Sequence, residues 1–236
     1  MTATLEYSSY EFQGNDELCL RVGGHHAKSI LLIPPLFDEM NRMRRMLVDV
    51  MRLLDTNGIG SALPDLPGTN ESLFRQEQAS LAIWRQALIG CSHILPECQH
   101  IASFRGGCLI DDFAEDLPKW RLSPAKGNAL LRTMMRTRMA SDKEAGLSTN
   151  MAQLTDEAEQ GAVNLAGNSI SASMFFELQD AVPALSPDVR TAQLETSAHK
   201  GDVKLPGSAL WLRAEPDEDL LLSGAIATDL VSWISS

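Results

Sequence analysis

The sequence predicts an α/β fold: a mainly parallel sheet flanked by helices, with a helical insertion over the carboxyl end of the sheet. Three observations predict it. Short β-rich runs alternate with amphipathic helical text over the first half of the chain, as in a parallel sheet covered by helices. One of these runs, "GIGSALPDLPG" (58–68), reads as a buried strand ending in a turn. A long segment of helical and glycine-containing text then interrupts the alternation before strand text resumes.

The elements follow in order. "ELCLRV" (17–22) and "KSILLIPP" (28–35) read as a hairpin or two neighbouring strands, with His25 and His26 in the turn between them. Two histidines make a metal site only if further ligands lie near, and no H-x-x-x-H or His/Cys cluster supplies them in the sequence. The expectation is a solvated turn and no metal. After Pro35 the period changes: Met40, Met43, Leu47, Val50, Met51 and Leu54 fall on one helical face and Arg42, Arg44, Arg45, Asp49 and Arg52 on the other. Asp38 reads as the N-cap of this helix and Asn57-Gly58 as its stop. "GIGSALPDLPG" (58–68) is a buried strand ended by prolines and glycine. Leu81, Trp84, Leu88, Cys91 and Leu95 repeat at helical spacing, and a strand from Gln99 to about Phe104 runs into the glycine turn "RGG" and a helix beginning near Cys108. Residues 120–187 form the insertion, since loops beyond about 15 residues usually carry structure of their own. "TAQLETSA" (191–198) and "SALWLRAE" (208–215) restore strand text, and Leu222, Ile226, Leu230 and Trp233 mark a last helix.

At 236 residues, with 44% hydrophobic and 22% charged residues, one domain spanning 1–236 accounts for the chain, with 120–187 as its cap. A net charge of −11 argues against a nucleic-acid partner. No apolar run approaches the ~20 residues that span a bilayer. Cys19, Cys91, Cys98 and Cys108 lack C-x-x-C spacing, which suits reduced thiols. With no basic start and apolar segment at the N-terminus, the expected setting is the cytoplasm.

Open α/β sheets bind ligands at the carboxyl ends of their strands. Two loops belong there: Pro34-Pro35-Leu36-Phe37-Asp38-Glu39-Met40-Asn41, with Arg44-Arg45-Met46 behind it, and Ser103-Phe104-Arg105-Gly106-Gly107. Together they resemble the α/β-hydrolases, and more narrowly the bacterial exosortase A system-associated hydrolase 2 group, whose members carry Pro-Pro-Phe-x-Glu-Glu-Met-Asn followed by Arg-Arg-Met. "LPDLPGTNES" (63–72), "LAIWRQAL" (81–88) and "LAGNSIS" (165–171) are similar to further segments of that group. The resemblance implies an α/β-hydrolase fold, esterase- or thioesterase-like chemistry, or an accessory role in exopolysaccharide and protein-sorting processes.

Such a hydrolase needs a nucleophile at a G-x-S-x-G elbow, an acid later in the chain and a histidine beyond the last strand. The elbow here aligns Arg105 with the nucleophile, and arginine stays protonated. "RAEPDEDLLL", after the expected last strand, holds no histidine, and His199 lies where the acid belongs. A degenerate hydrolase is therefore expected, with an active enzyme using Ser103 or Cys108 near His199 as the alternative. The anion-binding parts implied by the resemblance are the Gly106 N–H, a donor from Leu36–Phe37 and the following helix N-terminus. Arg105 adds a charged fork, Glu39 is its expected partner across the crevice, and Asn41 is a further polar residue of the first loop. The pair is either structural or a grip on a ligand. The partner classes left open are a small acidic or acyl-bearing molecule, a second protein and a homo-oligomer, and no cofactor is called for.

Overall fold

The computed structural model describes residues 4–236. Its sheet has eight strands in the order β1-β2-β4-β3-β5-β6-β9-β10. These are β1 Leu5–Phe12, β2 Asn15–Val22, β3 Lys28–Ile33, β4 Ile59–Pro64, β5 Cys98–Phe104, β6 Lys119–Leu122, β9 Val189–Leu194 and β10 Val203–Leu205. Pairing is antiparallel at β1–β2 and β2–β4 and parallel from β4 through β10. The helices are α1 Asp38–Thr56, α2 Leu81–His93, α3 Gly127–Glu144, α4 Met151–Gln160, α5 Ala172–Asp180 and α6 Leu220–Ser235, with a small hairpin of β7 Val163–Leu165 and β8 Asn168–Ile170 between α4 and α5. This is the mainly parallel, helix-flanked sheet that the sequence predicts.

Strand alternation divides the core. Ile30 and Leu32 of β3 join Met43, Leu47, Val50 and Leu54 of α1 and Leu222, Ile226 and Leu230 of α6 on one face. Leu31 and Ile33 turn the other way, toward Trp84, Leu88 and Cys91 of α2 and Leu130, Met134, Phe175 and Leu178 of the inserted helices. Successive strand side chains point to opposite faces, so one run of four apolar residues serves both layers. The methionines of α1 are core residues, as their spacing predicts.

Several expectations are corrected. β2 and β3 are neither a hairpin nor neighbours, because β4 lies between them; the hairpin joins β2 to β1 through Gln13-Gly14. β1 is an edge strand whose first residues are exposed, so its text is polar and hides it. Trp120, taken as the start of the insertion, belongs to β6, which is buried at all four positions. Two of those four are charged, and each charge is satisfied internally. Lys119 Nζ donates to the carbonyls of Ala114, Glu115 and Leu117 at 2.7, 3.2 and 2.9 Å, and Arg121 pairs with Asp111. At the far edge the last strand is β10, and Leu210–Leu212 within 208–215 is a 3-10 turn. Among the described residues no helix is long and apolar enough to cross a membrane.

Candidate functional site

Three loops meet at the carboxyl ends of β3, β5 and β6, and each contains a non-glycine residue at positive φ: Phe37 at 58°, Arg105 at 54° and Ser123 at 44°. Such backbone costs about 1–3 kcal/mol per residue and persists only where the surroundings impose it. Here the imposition is steric. A Cβ on Gly106 would lie 2.7 Å from Leu130 Cδ1 and 3.0 Å from Leu36 Cγ, and one on Gly107 would lie 2.4 Å from the Pro34 carbonyl oxygen. The "RGG" text is thus the record of an elbow pressed against the loop after β3. Both glycines let the backbones approach.

The elbow aims Arg105 across the crevice at α1. Its Nε and Nη2 donate to Glu39 Oε2 and Oε1, each at 3.1 Å, and its Nη1 donates to the Ser123 carbonyl at 2.9 Å. The guanidinium lies over the Trp211 ring, 4.5 Å from ring centroid to Cζ. Both side chains of the pair are mostly buried, at 17% and 15% exposure for Arg105 and Glu39, so this bidentate pair is shielded from solvent screening. Burial pushes the Glu39 carboxyl up, more than the charge and hydrogen bonds of Arg105 pull it down.

Around this pair lies a crevice of about 200 Å³. Leu36, Phe37, Leu130, Met134 and Trp211 supply its apolar lining, and Arg105, Glu39, Arg42 and Thr133 its polar one. Arg42 is held in place by donating to the Trp211 carbonyl at 3.0 Å. Of the residues singled out in the sequence, Arg105, Glu39, Leu36 and Phe37 line this crevice, and Gly106 packs behind it against Leu36 and Leu130. Asn41 is exposed on α1 and does not line the crevice. His199 is exposed in the β9–β10 connection, on a separate cleft with Lys126, Lys200 and Gln193 that Arg105 and Trp211 divide from the first.

Other site expectations change. The elbow leads into 3-10 turns over Arg105–Leu109 and Asp111–Phe113 instead of an α-helix, so no long helix starts at the elbow itself. Asp38 is not the N-cap of α1; that position is Phe37, and Asp38 Oδ1 accepts from Asn168 Nδ2 at 3.0 Å, which ties α1 to the β7–β8 hairpin. Ser103 and Cys108 are completely buried; the Cys108 thiol bonds the Ser103 carbonyl at 3.5 Å, and burial pushes its pKa well up. His25 and His26 do have a third potential ligand, since Asp55 at the end of α1 lies 2.8 Å from His26 Nε2.

Sequence reasoning missed Trp211. It follows β10, the region from which a catalytic histidine would come, and it covers the elbow residue with an indole that has no acid–base capacity near neutral pH. Reading 208–215 as strand text hid it.

Comparison with solved structures places this geometry on a known scaffold. Mouse alpha/beta hydrolase domain-containing protein 10 superposes with a TM-score of 0.62 at 14% identity, over 98% of this chain and 98% of that one. Est1E from Butyrivibrio proteoclasticus, solved with ferulic acid bound, gives 0.61 at 14% identity, over 97% of this chain and all of that one. The epoxide hydrolase VrEH1 from Vigna radiata aligns over only half of this chain, which spans about 40% of that enzyme's length, with a TM-score of 0.43 at 13% identity. No protein-family model matches the sequence, and no curated protein matches it. The strand order, the elbow after β5 and the two full-length superpositions establish that this chain has the α/β-hydrolase fold.

Proposed function

We propose that this protein is a degenerate hydrolase that binds a small acidic or acyl-bearing ligand in the crevice beside Arg105. The observation that carries the reading is Arg105 itself: the elbow keeps its strained, positive-φ backbone while presenting a permanently charged group that cannot attack an acyl carbon. In this reading a ligand carboxylate competes with Glu39 for the guanidinium fork. Glu39, whose pKa burial already raises, takes up a proton as it is displaced. An apolar tail then lies against Leu36, Leu130 and Trp211. At about 200 Å³ the crevice is below the ~300–1,000 Å³ of drug-sized pockets, which favours a short chain. The inserted segment, starting after β6, serves as the cap, with α3 forming one wall.

The esterase-like alternative needs Ser103 or Cys108 beside His199. Their complete burial, and the position of His199 on the other cleft, weigh against it. The Pro34–Asn41 segment supports the finer reading of an accessory protein in exosortase-related processes, working with a protein partner or as a homo-oligomer. Four free thiols agree with a reducing, cytoplasmic setting.

Two measurements test the proposal. A fluorophosphonate probe should leave the native protein unlabelled, and stoichiometric labelling of any serine would establish hydrolase chemistry instead. Butanoate and hexanoate should raise the unfolding temperature of the wild type and not of Arg105→Ala. Equal shifts in the two proteins would remove Arg105 from the binding site.

A further inference from the structure

The opposite end of the sheet carries a second constellation. We propose that His25, His26 and Asp55 form a divalent-metal site of the zinc class, which clips the β2–β3 connection to the end of α1. Adjacent residues seldom present their side chains to one point, but the turn here makes them do so. His26 N donates to the Gly23 carbonyl at 3.0 Å, Gly23 sits at φ 66°, and the two imidazole rings lie side by side, tilted at 43° with centroids 4.1 Å apart. Asp55 Oδ1 closes the group at 2.8 Å from His26 Nε2, and one donor atom from each of the three residues lies within 4.8 Å of the others.

The chemistry of the set selects the ion. Two imidazoles and one carboxylate suit zinc, nickel or copper better than calcium or magnesium, which take all-oxygen shells. Three protein ligands leave a position for water or for Glu6, which lies on the rim of the same hollow. Arg21, whose guanidinium lies beside Gly24 of the same turn, is paired with Glu97. Asp55 stands in the last turn of α1, which has no basic residue, and among the described residues its one ionic partner is His26. The carbonyl end of the helix adds negative potential. Gly23 is needed for the convergence: a Cβ there would lie 2.6 Å from Asp55 Oδ1 and 2.7 Å from His26 Cδ2. On binding, the hydrogen bond from His26 to Asp55 gives way to two bonds to the metal, so His26 must offer Nε2 as a lone pair.

Calorimetric titration of zinc into tag-free, chelator-stripped protein tests this. One ion should bind per chain and raise the unfolding temperature by about 2–4 °C, since a ligand of the native state stabilises it. His25→Ala, at an exposed position that leaves the core intact, and Asp55→Asn, which keeps a partner for His26, should each weaken affinity at least tenfold while circular dichroism stays native. Copper(II) in place of zinc should show spin-resonance coupling to two imidazole nitrogens, falling to one in His25→Ala. Absence of saturable binding, equal affinity in the variants, or copper coupling unchanged by His25→Ala would overturn the site.

Discussion

Arg105 and Glu39 join the tip of the β5 elbow to the first turn of α1 through two hydrogen bonds of 3.1 Å, under the ring of Trp211. With its third bond, to the Ser123 carbonyl, Arg105 links the segments that follow β3, β5 and β6. In the function proposed above, this cross-brace stands where a hydrolase holds its nucleophile.

Replacing the brace separates its two components. Arg105→Ala strands a mostly buried carboxylate and should cost about 1–3 kcal/mol by urea denaturation. Arg105→Gly loses the same bonds but tolerates the left-handed backbone, so it should be about 1 kcal/mol less destabilised than the alanine variant. Equal stabilities would show that the elbow stores no strain at this residue.

A deeper pair lies beneath. Arg121 of β6 grips Asp111 at 2.7 and 2.6 Å, with side-chain exposures of 6% and 0%, and donates also to the Ala184 carbonyl at 2.8 Å. Breaking so buried a pair from one side typically costs about 3–5 kcal/mol. Asp111→Asn or Arg121→Ala should therefore destabilise more than Arg105→Ala. The double variant Asp111→Leu/Arg121→Met should recover part of the loss, because it removes both charges. A double variant less stable than either single one would show that the pair contributes net stability of its own.

These pairs explain what was legible in the sequence. β3, β4 and α1 announce themselves because burial there is apolar, and period 2 or 3.6 is visible in the text. β6 does not, because a lysine and an arginine occupy two of its four buried positions and their partners, Asp111 and the carbonyls of Ala114, Glu115 and Leu117, lie in a 3-10 turn and the loop after it. The Arg105–Glu39 contact was readable because the resemblance supplied adjacent strands and only their following loops had to meet. Trp211 and Asp55 were not, since each reaches its partner through a chain reversal that no local pattern encodes.

Glu39 gives a pH signature. Its carboxyl pKa is raised in the folded state, by burial first, against an ordinary value of 4.5. The native protein then binds this proton more tightly than the unfolded chain does. The associated stability is fully present below 4.5 and is lost as pH rises through the higher folded value. Relative to Glu39→Gln, which cannot titrate, the wild type should thus lose stability as pH rises above about 4.5 toward neutrality. Denaturation curves in parallel buffers measure the difference, and a wild type that gains on the variant over that range would reverse the assignment.

The last prediction concerns how the inserted segment is held to the body. Glu177 of α5 accepts from the backbone N–H groups of Leu81 and Ala82 at 2.6 and 3.3 Å, the first two residues of α2, while Ser80 caps the same helix through Ile83 at 3.0 Å. Ser171, at the start of α5, donates to the Ala79 carbonyl at 2.6 Å. A carboxylate on helix amides is worth about 0.5–2 kcal/mol. Glu177→Ala should therefore lose that much stability and raise amide exchange in α5 and the first turn of α2 together. In the wild type, α4 should exchange faster than β5, since it buries only Leu154 and Ala158 whereas β5 lies between two paired strands. Faster exchange confined to α2 in the variant would mean that the inserted segment is held by its apolar face alone, and protection of α4 equal to that of β5 would place it in the cooperative core and rule out its opening as a cap.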